Sequence, residues 1–124
     1  METVDWRSPD LVAGDCPLSR TLDIVGGKWN AMIIRELLAG PRRFTSLRAG
    51  VGPIAAKVLA ERLRVLEDYD IVVRDARGGV PAHVEYRLTS RGLTLGPVLA
   101  ALWRWGVADE ASWRGQPPAS GRAG

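Results

Sequence analysis

Apolar positions recur at helical spacing from Cys16 to Leu66, alternate near residues 71–88, and return to helical spacing after Thr89. Cys16-Pro17 predicts a helix start, because a proline in the first helical position forfeits no hydrogen bond. Leu18, Leu22 and Val25 then share a face until Gly26-Gly27 interrupts the run. From Lys28 a second helix is predicted, with Trp29, Ile33, Leu37 and Leu38 inward and Gly40-Pro41 as its stop. Phe44 leads into a short third helix with Thr45 as N-cap and Leu47 inward. After Gly50-Val51-Gly52-Pro53 comes a fourth. There Val58, Leu59, Leu63 and Leu66 point one way, and Lys57, Ala60, Glu61, Arg64 and Asp68 the other.

The period then drops towards two. Ile71-Val72-Val73-Arg74 and Val84-Glu85-Tyr86-Arg87-Leu88 read as strands, joined by a loop that contains Gly78-Gly79-Val80-Pro81 and carries Arg77 and His83. Thr89 caps a last helix whose apolar side is Leu93, Val98, Leu99, Leu102 and Trp103, with a kink expected at Pro97. Four helices, two strands and a helix make an α+β winged helix-turn-helix: mostly helical, with a two-stranded β wing and extra helices at both ends. Residues 16–114 are expected to form this one domain, 1–15 a mobile arm and 115–124 a disordered low-complexity tail.

Composition narrows the chemistry. A chain of 124 residues suits one domain that buries roughly two-thirds of its unfolded surface. No run approaches ~18 apolar residues, and the stretch METVDWRSPD is acidic rather than basic and then apolar, so neither a membrane span nor a secretory leader is expected. One cysteine, Cys16, and one histidine, His83, allow no internal disulfide and no ordinary thiol/imidazole metal site. Gly26-Gly27 is an isolated pair rather than a phosphate cradle, and no Ser-His-acid or Cys-His arrangement is suggested by spacing, so no enzyme and no cofactor are expected.

The net charge of +3 is unevenly spread. Residues 1–15 carry −3, residues 16–66 carry +6 from nine basic and three acidic groups, and the remainder is neutral. A contiguous basic segment is the footprint expected of a polyanion partner such as double-stranded DNA; a solvated arginine-rich surface is the alternative on charge alone. A helix enters the major groove only if its outward face bears short or polar side chains. The fourth helix has such a face: Ala56 and Ala60 permit close approach, Lys57 and Arg64 donate to guanine or phosphate, and Glu61 accepts from a cytosine amine. Arg42, Arg43, Thr45 and Ser46, on the turn and start of the preceding helix, are placed to hold phosphates, as is Lys28. Arg77 and His83 would contact DNA from the wing. The alternative is a solvated face in which Lys57, Glu61 and Arg64 merely pair along the helix.

The residues also resemble a known family. Cys16-Pro17-Leu18, then Leu22-Asp23-Ile24-Val25-Gly26-Gly27-Lys28-Trp29, is similar to the opening signature of the HxlR family of bacterial transcriptional regulators. The likeness continues through Arg35-Glu36-Leu37-Leu38, Gly40-Pro41-Arg42-Arg43-Phe44 and Leu59-Ala60-Glu61-Arg62-Leu63-Arg64-Val65-Leu66-Glu67. It resumes at Val80-Pro81, Val84-Glu85-Tyr86-Arg87-Leu88-Thr89 and Leu102-Trp103-Arg104-Trp105-Gly106, in the right order over residues 16 to 106. The resemblance implies a promoter-binding homodimer, a repressor, in the bacterial cytoplasm and on the nucleoid when bound. It makes the fourth helix the recognition helix, and the loop at Gly78-Gly79 the wing. Ile54-Ala55-Ala56 stands where the family usually has a serine, which removes an N-cap hydroxyl typically worth ~1 kcal/mol. Asp70 stands where a glycine is usual.

The last helix is apolar around its circumference: Leu95, Leu99 and Trp103 form one stripe, Val98, Leu102 and Trp105 another. One monomer core covers one stripe. Together with family dimerisation through the first and last helices, this implies an interface at Leu18, Leu22, Val98, Leu102 and Trp105. Several family members respond to oxidants, quinones or aldehydes through a cysteine in the place of Cys16. A thiol at a helix N-terminus faces free N–H groups and the positive end of the dipole, an environment that promotes reactivity; a buried, inert cysteine is the alternative. In that case the effector would be a small molecule in a tryptophan-lined pocket at the dimer interface, with Cys16 only structural.

Overall fold

In the computed structural model, residues 16–77 and 83–115 are described. The expected arm, most of the tail and the Gly78–Ala82 part of the wing loop lie outside them. α1 (Pro17–Val25) starts where the sequence places it: Cys16 is the N-cap, its Sγ accepting from the Ser19 N–H at 3.3 Å. α2 (Asn30–Leu38) buries Ile33, Ile34 and Leu37, and it opens at Asn30, two residues after Lys28, which lies in the preceding turn.

α3 (Phe44–Val51) corrects the expected cap. Arg43, extended, occupies the N-cap position, and Thr45 lies exposed inside the first turn. The cause is non-local. Arg42 and Tyr86 exchange backbone hydrogen bonds of 3.0 and 2.8 Å, which holds the chain extended until Arg43. α4 (Ala56–Asp68) buries Leu59, Leu63 and Leu66; its N-cap, Ala55, makes no side-chain cap bond. Tyr69 follows as C-cap, and Asp70 then adopts φ 60°, the left-handed region where the glycine would be cheaper.

β1 (Val72–Arg77) pairs antiparallel with β2 (His83–Leu88), from Val72 opposite Leu88 to Arg77 opposite His83. Arg77 and His83 therefore close the ladder rather than ride on the loop. Arg42 bridges the other edge of β2, tying the wing to the start of α3. Thr89 caps α5 (Ser90–Leu93), its hydroxyl accepting from the Gly92 N–H at 2.9 Å.

The expected kink at Pro97 is instead a break. The helix stops at Leu93, and α6 (Gly96–Ser112) restarts with Pro97 in its first turn, where the missing N–H costs nothing. The core is built from Ile33, Ile34, Leu47, Leu59, Leu63, Leu66 and Ile71, all at most 1% exposed. α6 contributes no buried residue. Leu95 and Leu99 pack partly against the core, but Trp103 is 59% exposed, so only the start of the first stripe is covered within the chain.

Candidate nucleic-acid interface

The helical period puts Lys57, Ala60, Glu61 and Arg64 on one side of α4, and the fold leaves all four exposed together with Ala56. Their opposite side carries Leu59, Leu63 and Leu66 into the core. The face is thus rigidly backed, and its side chains present two cations, a carboxylate and two methyl groups.

What aims this face is the turn between α3 and α4. Gly52 adopts φ 121°, a conformation L side chains rarely take. Arg48 closes the turn by donating from Nε to the Ile54 carbonyl at 2.8 Å. Sequence reasoning counted Arg48 only as charge; no local pattern reveals a bond that spans the turn. The same holds for Glu36. Its half-buried carboxylate meets Arg35 at 3.0 Å and Arg42 at 3.9 Å, and a Cβ at Gly50 would run into it. Arg35 also reaches the Gly50 carbonyl at 3.4 Å. The Arg35 bond to Gly50 links α2 to α3, and Glu36 holds Arg35 and Arg42 beside that joint.

The phosphate-contact candidates divide accordingly. Arg43, Thr45 and Ser46 are exposed around the start of α3. Arg42 is half-buried and turned inward, its Nε donating to the Glu36 carbonyl at 3.3 Å. Lys28 lies with Nζ 4.8 Å from the Trp29 ring centroid, beside a small cavity that it lines together with Glu61 and Arg62 of α4. At the wing, the His83 Nε2 is 3.1 Å from Glu85 Oε2, and Phe44 sits against Tyr86 with ring centroids 6.5 Å apart. The backbone of Arg77 ends β1 directly opposite His83. Lys57, Glu61 and Arg64 thus share one face of α4, Arg43, Thr45 and Ser46 surround the start of α3, and His83 stands on the wing with the backbone of Arg77 opposite it.

Away from this face, Cys16 is buried, 5% exposed, at the N-terminus of α1. Asn30 fastens the other end of α1 by donating from Nδ2 to the Ile24 carbonyl at 2.8 Å. Leu18, Leu22, Val98, Leu102 and Trp105 are all exposed, from 37% for Val98 to 70% for Trp105. The apolar groove between α2 and α6, about 610 Å³, is lined by Met32, Leu38, Leu99 and Leu102, with Trp103 as its one tryptophan among the described residues. Among those residues no group of His, Cys, Asp and Glu is placed to hold a metal, and no helix is long and apolar enough to cross a membrane.

This geometry has close counterparts. Residues 24–112 match the model of the HxlR-like helix-turn-helix family. The chain is 38% identical over 103 residues to the HTH-type transcriptional regulator YdeP of Bacillus subtilis, covering 83% of this chain and 79% of that one. It is 40% identical over 111 residues to the HTH-type transcriptional regulator BH0655 of Halalkalibacterium halodurans, covering 89% and 98%. Among solved structures it is similar to the redox regulator HypR in its reduced form, with TM-score 0.72 and 36% identity over 76% of this chain and 93% of that one. It is likewise similar to the reduced form of the regulator YodB from B. subtilis, with TM-score 0.70 and 35% identity over 82% and 98%.

Proposed function

From the premise that this chain belongs to the HxlR-like helix-turn-helix family, and is a DNA-binding transcriptional regulator rather than an enzyme, we propose that it binds a near-palindromic operator as a homodimeric repressor. The observation that carries this reading is the exposed face of α4, Lys57, Ala60, Glu61 and Arg64, backed by fully buried leucines. Ala56 and Ala60 let the helix sit deep in the major groove. Lys57 and Arg64 donate to guanine or phosphate, and Glu61 selects a cytosine amine. Arg43, Thr45, Ser46 and Lys28 contact phosphates and set the register, as does the part of the Arg42 guanidinium not held by Glu36. Arg77 and His83 contact the backbone or minor groove from the wing.

The dimer forms through Leu18 and Leu22 of α1 and Val98, Leu102 and Trp105 of α6, an apolar surface that the single chain leaves in water. Two-fold symmetry then spaces the two copies of α4 about 34 Å apart, one turn of DNA. Cys16 is the proposed redox switch. The similar protein HypR is a redox regulator, and YodB has both a reduced and a diamide-treated structure. In this chain Cys16 is buried and its Sγ caps the first turn of α1, the proposed dimer helix, so modification of the thiol by an external oxidant acts directly on that turn.

Selection of bound duplexes from a random library tests the reading. A two-half-site consensus is expected, bound more weakly after oxidant in the wild type and unchanged in Cys16→Ser. Selection that returns no consensus would remove the operator, and an oxidant response that survives Cys16→Ser would remove the switch.

A further inference from the structure

A cavity of about 390 Å³ lies on the side of the molecule where α1, the end of α4, the start of β1 and the α5–α6 turn meet. Its size falls in the range of small-molecule sites. Ile24, Ile71 and Leu95 give it an apolar floor, while Arg20 and Arg91 stand in its wall against one carboxylate, Asp23. Arg91 is anchored there: its Nε donates to the Tyr69 carbonyl at 3.0 Å. Its two Nη groups have no protein partner among the described residues. A planar guanidinium held by its Nε, with the outer nitrogens unengaged, is suited to a bidentate carboxylate. We propose that this cavity binds a small organic anion, a carboxylate on an apolar body, and that such a ligand modulates operator binding. The modulation rests on the DNA-binding reading; the binding itself does not.

The walls explain the coupling. Pro17, Thr21 and Ile24 of α1 line one side, and Tyr69, the C-cap of the proposed recognition helix, lines another. A ligand that bridges them fixes the angle between α1 and the end of α4. At ~100° per residue, Leu18 and Leu22 lie on average ~120° round α1 from the lining positions, so the proposed dimer contacts and the cavity wall centre on different faces of that helix.

The test is thermal unfolding of the full chain with benzoate, neutral benzamide and inorganic phosphate as probes. Benzoate is expected to raise Tm saturably, by several degrees at concentrations well above its Kd, with benzamide and phosphate giving no comparable rise. Arg91→Met should abolish the rise, and Arg91→Lys, which keeps the charge but loses the planar fork, should weaken it at least ten-fold and keeps the test available if Arg91→Met does not fold. Both variants should bind operator within about two-fold of wild type when benzoate is absent, so loss of the ligand response is separable from loss of DNA binding. No saturable shift with benzoate at about 10 mM, the weak end of ligand affinities, would overturn the proposal. So would equal shifts from benzamide or phosphate, or a shift that persists in both variants.

Discussion

α4 buries Leu59, Leu63 and Leu66 to 1% exposure or less and turns Lys57, Glu61 and Arg64 outward. α6 is four residues longer, buries nothing, and presents Leu102, Trp103, Trp105 and Val107 to solvent. Each is a surface helix with a face the chain itself does not cover. The chemistry of that face says what would cover it: a charged, small-residue face suits a nucleic-acid groove, whereas an aromatic and aliphatic face suits another protein surface. The difference separates two properties that a single domain usually blends. α4 is complete as structure and open for recognition, while α6 is open as structure.

The comparison can be broken most severely at the buried side of α4. Leu63→Ala should cost about 3–4 kcal/mol, enough to lower Tm by well over ten degrees in a domain of this size; a loss below 1 kcal/mol would mean α4 is not the spine of the core. At α6 the same kind of change should leave the fold alone. Leu102→Arg combined with Trp105→Arg is expected to keep the far-ultraviolet circular dichroism, turn a dimer into a monomer in sedimentation, and weaken operator binding about 100-fold by removing bivalency. A variant that remains dimeric would relocate the interface.

Smaller effects sharpen the picture. Lys57→Ala and Arg64→Ala should each weaken operator binding about ten-fold, and a lysine or arginine that contacts phosphate should also reduce the slope of log K against log salt by about one. Smallest are two repairs at the ends of α4. Ala55→Ser restores a cap and Asp70→Gly relieves a left-handed residue, each adding up to about 1 kcal/mol of stability in chemical denaturation.

Much of this architecture was legible in the sequence because it is local. The order of elements follows from the change of period, the starts of α1 and α5 from Cys16-Pro17 and Thr89, and the outward face of α4 from its spacing. The left-handed Asp70 was legible only through the family resemblance, which puts a glycine at that position. What escaped is set by contacts between distant parts of the chain. Thr45 looked like a cap until the bridge between Arg42 and Tyr86 held Arg43 extended. Pro97 looked like a kink because Leu93, Val98, Leu99, Leu102 and Trp103 read as the apolar side of one helix, whereas the backbone turns at Thr94-Leu95. Arg48 and Glu36 read as charge alone, yet one closes the α3–α4 turn and the other pairs with Arg35 and Arg42 beside the α2–α3 joint. Nor does the spacing of Trp103 reveal that α6 leaves the core before reaching it.

The central claim is that paired copies of α4 read DNA, and footprinting on a library-selected duplex tests it most directly. Protection of two major-groove half-sites about 34 Å apart is expected, with two chains per duplex, and it should vanish in the Lys57→Ala, Arg64→Ala double variant. Protection of a single half-site, or the same footprint from the double variant, would contradict the account.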